Sequence, residues 1–274
     1  MDKKNISDSY KSLFGYSSEK VLRIKKETHR LYSVKHIDLD YEIVKNIKLY
    51  GSESILDIGC GLGDFLLYLR KIGHKGLLVG IDLYPEVFKK AKRESILGKL
   101  NIKFVKGDAE NLPFRNNSFD IVCARHMLCY LPHISRGIKE AKRVLKSSGI
   151  FLATANSMKS YPHVHKYLNR LRAEHFLDPY IYATERFSSE NMEKILKRFF
   201  NKVKIIKLKG LLKFNHPKPF LNYFRVRREV LHPQPTITKW NKALKQLTCW
   251  VKEDFQKEKV LYEPKWVSIG LCQK

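Results

Sequence analysis

An α/β fold built on a mostly parallel sheet is what this sequence predicts, and three observations carry that reading. Residues 51–156 alternate short apolar runs with stretches of helical period, as parallel strands joined by crossover helices require. The run SILDIGCGLGDFLLYLR at 54–70 puts three glycines between an apolar strand pattern and a helix with Phe65, Leu66 and Leu69 on one face. Open α/β sheets bind ligands at such turns. At 274 residues the chain can bury a substantial core and fits one large domain of this class, or a domain with appendages.

The elements follow in order. Residues 19–49 read as helical in two pieces, the second from about His36 to Leu49. Strands are expected near 54–58, 77–82, 102–106, 119–124 and 149–155, with helices near 64–72, 85–95 and 134–145. Pro85 suits a first helical turn, where its missing N–H has no intrahelical partner. The stretch SMKSYPHVHKYLNRLRAEHFLDPYIYATERF is aromatic, basic and rich in histidine, and reads as a substrate-facing insertion more than a core element. Ser188 or Ser189 can cap a helix running through Phe200, and VKIIKL at 203–208 alternates like a strand. Residues 220–231 should be helical, HPQP at 232–235 breaks that helix, another helix falls within 236–259, and WVSIGL closes the sheet. Three regions result: an N-terminal helical extension (1–50), a ligand-binding core (51–156) and a basic insertion with the C-terminal part of the sheet (157–274).

Composition narrows the function classes. The N-terminus MDKKNISDSYK lacks the apolar core of a signal peptide, and no apolar run approaches the ~20 residues of a membrane span; a cytoplasmic protein is expected. Cys60, Cys123, Cys129, Cys249 and Cys272 form no CxxC pair, so neither a disulfide framework nor a metal site is indicated. The net charge of +26 is unevenly spread: 11 basic against 7 acidic residues in 1–50, 17 against 10 in 51–156, and 25 against 10 in 157–274. Such a field attracts polyanions, with nucleic acid first and an anionic membrane surface second.

The glycine turn can be read further. Gly59, Gly61 and Gly63 form G-x-G-x-G, and Asp64 stands where a dinucleotide fingerprint has its third glycine. A carboxylate there repels pyrophosphate but not an ammonium. Asp82 ends the next strand, nineteen positions after Gly63, where a carboxylate can accept both hydroxyls of a ribose. Asp108 ends the strand after that and could accept from an adenine amino group. Three successive strand ends thus suit a charged amino-acid tail, a ribose and an adenine, which together describe S-adenosylmethionine.

The runs ILDIGCGLGDF, GIDLYPEVFKKAK, VKGDAENLPFRNNSFDIVCARHMLCYLPHI and KEAKRVLKSSGIFLAT, over roughly residues 30–156, strongly resemble the class I S-adenosylmethionine-dependent methyltransferases. The resemblance implies a Rossmann-like seven-stranded methyltransferase sheet with helices on both faces and an antiparallel last strand. It further implies that Asp57, Gly59, Gly61 and Gly63 surround the methionine moiety, Asp82 takes the ribose, Asp108 and Ala109 flank the adenine, and Arg125 and His126 lie beside the sulfonium. Cys60, Leu83 and Glu110 are grouped with these cofactor contacts. The sequence departs from the family pattern at Cys129–Tyr130–Leu131, where small-molecule members often read HHL, and at Lys146–Ser147–Ser148–Gly149, where KPGG is usual. It also lacks the Asn-Pro-Pro-Tyr tetrad of many enzymes acting on exocyclic base amines.

Arg125, His126 and Tyr130 are the candidate catalytic residues, His126 as a general base or a packing contact, Tyr130 as an orienting group or an aromatic wall. Cys129 lacks the Pro-Cys context of pyrimidine C5 methylation and reads as packing. His163 and His165 form an HxH pair that no acid or cysteine pattern supports as a metal site; substrate contact is the expectation. Lys202, Lys204, Lys207 and Lys209 surround one strand, while Arg225, Arg227 and Arg228 lie among Phe220, Tyr223 and Phe224. Cations interleaved with aromatics suit unpaired bases. The leading expectation is therefore a monomeric methyltransferase of a base nitrogen in ribosomal RNA, a class that can confer antibiotic resistance, with Arg225, Arg227, Arg228, Tyr223, His163 and His165 on the substrate. The alternatives are a small-molecule methyltransferase and a non-catalytic RNA-binding protein that keeps the fold.

Overall fold

The computed structural model describes residues 18–274; residues 1–17, on which the reading of the N-terminus rests, lie outside the described part. The chain runs α1 (Glu19–Tyr32), β1 (Ser33–Lys35), α2 (Leu39–Asn46), β2 (Ile55–Ile58), α3 (Asp64–Lys71), β3 (Leu78–Asp82), α4 (Pro85–Leu97), β4 (Ile102–Lys106) and β5 (Phe119–Arg125). A 3-10 turn at Leu128–Tyr130 leads to α5 (Ile134–Val144), β6 (Leu145–Asn156), α6 (Pro162–Ala173), β7 (Ile181–Tyr182), α7 (Ala183–Arg186), α8 (Met192–Leu196) and β8 (Lys202–Phe214). Then follow α9 (Pro217–Arg225), a second 3-10 turn (Val226–Val230), β9 (Leu231–His232), α10 (Ile237–Glu258) and β10 (Leu261–Gln273).

Eight strands form the main sheet in the order β1-β8-β10-β6-β5-β2-β3-β4. The pairs from β6 to β4 are parallel, and β10 runs antiparallel to both β6 and β8. The expected seven strands become eight because β1 adds antiparallel to the outer edge of β8. A three-residue strand carries no readable alternation, so periodicity could not reveal it.

Alternation along β2 sets the two faces of the sheet. Ile55 packs with Ile43, Ile47, Phe65, Leu66, Leu69, Phe88 and Ala91 under α2, α3 and α4. Leu56 and Ile58 point to the other face, toward Ile138, Ala141 and Val144 of α5 and Met192 and Leu196 of α8. A third core of Tyr167, Leu171, Phe214, Phe220, Tyr223, Phe224, Trp240 and Trp250 joins α6, α9 and α10 to the far ends of β8 and β10.

That third core corrects the reading of residues 157–187. Val164, Tyr167, Leu168 and Leu171 repeat at helical spacing and are buried, so α6 is a core helix with its basic residues on the outer face. Two further expectations shift. Asn191, not Ser188 or Ser189, precedes α8, which ends at Leu196; the Asn191 side chain accepts from Ser188 N at 2.8 Å. The helix expected from Phe220 starts earlier, at Pro217, and tightens into a 3-10 turn from Val226.

Arg70 closes the C-terminal end of α3. Its guanidinium donates to the carbonyls of Leu100 at 2.6 Å, Gly76 at 2.8 Å and Asn101 at 2.9 Å, and to that of His74. One side chain thus fixes where the chain leaves α3 and where it enters β4.

Gly63 caps the N-terminus of α3 with φ +71°, and a Cβ there would lie 2.8 Å from both Ala91 Cβ and Phe104 Cε1. Gly73 also has positive φ, +90°, but nothing lies within 4 Å of its would-be Cβ. We therefore expect Gly63→Ala to destabilise the protein by about 2–4 kcal/mol and Gly73→Ala by about 1 kcal/mol. The midpoints of urea denaturation of the two variants check this difference.

Candidate active site

The C-terminal ends of β2, β3, β4 and β5 open into a cavity of about 570 Å³, within the usual range for small-molecule sites. Its roof is α1, which presents Leu22, Lys25, Lys26 and His29, and the segment His36–Asp40 closes one side.

The floor is the glycine turn. Gly59 N donates to Ile81 O at 2.8 Å, Cys60 N to the same oxygen at 3.1 Å, and Gly63 N to Cys60 O at 2.9 Å. The Asp82 carboxylate ties this turn to the next one: Oδ2 accepts from Gly61 N at 2.9 Å and Oδ1 from Tyr84 N at 3.1 Å. Burial raises the Asp82 carboxyl, and these backbone donors pull it back. Gly61 has φ +52°, and a Cβ on it would meet only Leu22 of the roof, at 3.7 Å. Its bare backbone thus faces the cavity.

Asp57 is 1% exposed. Burial pushes its carboxyl up to about 7, against the pull of Arg125, and its Oδ1 has no hydrogen-bond partner among the described residues. Such a group calls for a cation. Arg125 meets that need only in part, since its Nη1 is 3.9 Å from Asp57 Oδ2. Its main bond is from Nη2 to Asp40 Oδ1 of α2 at 2.6 Å, and its guanidinium lies 4.3 Å above the Phe65 ring. Arg125 is held in place from two sides.

His126 follows Arg125 with φ +52°, a conformation uncommon outside glycine. The turn is secured by its N–H, which donates to both the carbonyl and Oγ1 of Thr154 at 3.1 Å. Burial and then the charges of Lys265, Lys25 and Arg125 push its imidazole well below the ordinary range, so the ring is neutral at pH 7. His29 on α1 is lowered in the same way by burial, Lys265 and Lys25. Its Nε2 lies 3.5 Å from Tyr161 OH and 3.4 Å from Tyr223 OH.

Of the residues singled out from sequence, Asp57, Gly59, Cys60, Gly61, Asp82, Leu83, Ala109, Arg125, His126 and Tyr130 line the cavity. Gly63 instead packs behind it against Ala91 and Phe104. Glu110 turns away: its carboxylate accepts from His133 N at 2.5 Å and lies 3.0 Å from His133 Nδ1. The carboxylate of Asp108 accepts from Glu110 N at 2.7 Å, and the cavity wall there is Gly107 and Ala109. Cys129 is buried in the core beneath α5, with its thiol pushed up to about 12 by burial.

The expected substrate-binding residues do not assemble. Tyr223 is fully buried and Arg227 is 3% exposed. The Arg227 guanidinium turns inward, 4.3 Å over the Tyr223 ring and 4.9 Å over that of Tyr161. Arg228 donates to Pro235 O at 2.7 Å, so of the three arginines Arg225 alone is exposed. Phe220 and Phe224 are core residues and offer no face for a base. The strand lysines also divide, Lys202 and Lys204 falling on one face of β8 and Lys207 and Lys209 on the other, by simple alternation. His163 approaches the buried Glu263, Nδ1 to Oε2 at 3.7 Å; that carboxylate also accepts from Val164 N at 3.0 Å and so caps α6. His165 stands edge-on to Tyr182 at 4.9 Å. Neither histidine lines the cavity.

Sequence reasoning missed Lys25, His29 and Asp40. The available signal was on α1, where Leu22, Lys25 and His29 share one helical face by their spacing, a polar continuation of an apolar stripe.

Residues 56–153 match the family model described as a methyltransferase domain. Among curated proteins, the chain is 41% identical over 118 residues to the phthiotriol/phenolphthiotriol dimycocerosates methyltransferase of Mycobacterium leprae (strain TN), covering 42% of this chain and 41% of the relative. It is 29% identical over 161 residues to the demethylmenaquinone methyltransferase of Staphylococcus saprophyticus, covering 58% of this chain and 66% of the relative. The chain thus spans from under half to about two thirds of the length of these two relatives. Among solved structures, the YcgJ protein from Bacillus subtilis superposes with a TM-score of 0.58 at 20% identity, covering 86% of this chain and 97% of that one. The fold is the Rossmann-like α/β fold of methyltransferases, with an additional edge strand.

The residues present fit S-adenosylmethionine: a bare glycine backbone, a buried carboxylate oxygen open to an ammonium, and an acid at the tip of β3. Asp82→Asn is expected to weaken binding of S-adenosylhomocysteine by about tenfold or more in calorimetry. An ammonium beside Asp57 favours the ionised carboxyl and lowers its pKa. Affinity should therefore climb as pH rises toward about 7 and flatten above it, with proton release on the rising limb. Asp57→Asn should flatten the profile.

Proposed function

We propose that this chain is an S-adenosylmethionine-dependent methyltransferase whose acceptor is a small, largely apolar molecule. The observation that carries this reading is the cavity: it runs beneath α1 from the glycine turn to Met127, Tyr130 and Leu131, so donor and acceptor share one roofed space. Ribosomal RNA loses its main support, because Phe220, Tyr223, Phe224 and Arg227, which suggested it, pack into the protein. Both curated relatives carry names of lipid or quinone methyltransferases, which favours an acceptor of that kind.

When bound, S-adenosylmethionine supplies an electrophilic methyl group. The protein has then to align the acceptor and manage its proton. Asp57 faces the amino-acid end, the Asp82 carboxylate keeps acceptor capacity for ribose hydroxyls beyond its backbone donors, and Gly107 and Ala109 line the wall where the base would lie. Arg125, fixed by Asp40 and Phe65, marks the boundary between donor and acceptor. Beyond it, His126 presents a neutral imidazole whose surroundings oppose its protonation, Tyr130 forms part of the wall, and α1 covers the cavity.

The test is transfer of label from radiolabelled S-adenosylmethionine into two acceptor pools, an organic-solvent extract of cells that make the protein and purified ribosomal RNA. Label is expected in the organic extract. Label confined to RNA would overturn the acceptor class while keeping the enzyme.

A further inference from the structure

The far end of the main sheet is buried on one side only. Leu212 and Phe214 of β8 and Leu261 of β10 belong to the third core. The residues that alternate with them point the other way, and there the β8–β10 ladder sets Lys213 opposite Tyr262, Leu211 opposite Pro264 and Lys209 opposite Trp266. Opposed residues of an antiparallel pair share a face. Lys209 and Tyr262 are exposed and the other four of these residues half-buried, so this face is open to solvent. The edge strand β1 extends it, with Lys35 opposite Leu211.

Lysine ammoniums lie against the rings of this face. Lys209 Nζ is 5.1 Å and Lys159 Nζ 5.9 Å from the Trp266 ring, and Lys213 Nζ is 6.0 Å from that of Tyr262. None of the six opposed positions carries an acid; Lys207, next on this face, acts on Glu193 of α8 and marks the border of the patch. At the free edge two aliphatic side chains reach into solvent, Leu31 at the end of α1, 56% exposed, and Val34 of β1, 57% exposed. Half-buried rings, lysines on long apolar stems and exposed aliphatics together suit the interfacial layer of a bilayer, where rings sit at headgroup level and ammoniums reach anionic headgroups. A nucleic acid would match the lysines and the rings but leave Leu31 and Val34 in water.

We infer that this end of the sheet, β1 with the open face of β8 and β10, docks on the surface of an anionic phospholipid membrane. The lysines supply the attraction. The rings and aliphatic side chains supply the orientation, because the charge of β8 is divided between two faces. From β1 the chain passes directly into the cavity wall at His36 and Ile37, and a Cβ on Gly210 of β8 would lie 3.0 Å from Ile37 Cδ1. Docking therefore brings that wall next to lipid. Supply of an apolar acceptor from the bilayer is a consequence that rests on the function proposed above, whereas the docking itself does not.

The experiment is co-sedimentation of the full chain with vesicles of phosphatidylcholine alone and of phosphatidylcholine mixed with phosphatidylglycerol. Binding is expected to the mixed vesicles and weakens as salt rises. Lys209→Glu combined with Lys213→Glu should lower affinity about tenfold or more. Lys202→Glu combined with Lys204→Glu, the same charge change on the other face of β8, should lower it about twofold at most. Leu31→Ser combined with Val34→Ser should weaken binding about tenfold with every lysine intact. Trp240 and Trp250 are each 4% exposed, so quenching of tryptophan emission by brominated lipid reports on Trp266, and Trp266→Phe should remove most of it. Thermal denaturation and calorimetry with S-adenosylhomocysteine check that each variant folds. No binding to the mixed vesicles, equal loss from the two lysine pairs, or binding without quenching overturns the proposal. So does binding of ribosomal RNA that needs Lys209 and Lys213 when vesicle binding does not. Wild-type protein that docks but fails to bind S-adenosylhomocysteine would uphold the docking and overturn the methyltransferase reading instead.

Discussion

The antiparallel ladder that seats β10 between β6 and β8 is the interaction on which the rest of this structure depends. It pairs Val267–Gln273 with Ile150–Asn156 of β6 and Leu261–Gln273 with the whole of β8, so β8 and β10 share one sheet with the strands that carry the glycine turn. Alternation along β10 then assigns its side chains. Glu263 and Lys265 face the side where α1 and α6 lie, Glu263 capping α6, while Tyr262, Pro264 and Trp266 face the opposite side. A slip of one residue would exchange the two sets.

On the binding side, a similar economy holds at Asp82. One carboxylate joins the loop after β2 to the loop after β3, so the glycine turn and the neighbouring strand end cannot drift apart. Asp40 does the equivalent for Arg125, reaching from α2 to the tip of β5. Both contacts are charge-assisted and partly shielded from water, which makes them stronger than the surface pair between Lys26 and Asp64.

The donor side of the fold was legible because its signals are local. Apolar runs, a glycine cluster and acids at strand ends are written in consecutive residues, and five strands of the sheet and the turn between β2 and α3 fall near where the pattern put them. The roof of the cavity was not legible, because Lys25 and His29 come from α1 and Asp40 from α2, elements remote in sequence from the strand ends they cover. The Arg225–Arg228 run shows how the reading fails. A cation among aromatics looks like an exposed patch in sequence, yet Arg227 reaches low exposure because Tyr161 and Tyr223 offer their ring faces to its guanidinium.

The division of the β8 lysines between two faces bears on how the molecule meets other macromolecules. A net charge of +26 acts at long range as a monopole and gathers polyanions around the protein, but the field of each exposed lysine fades within a Debye length of about 8 Å at physiological salt. Lysines on opposite faces of a strand cannot all touch one partner. Along β8 the charge therefore favours frequent, salt-sensitive encounters without imposing an orientation.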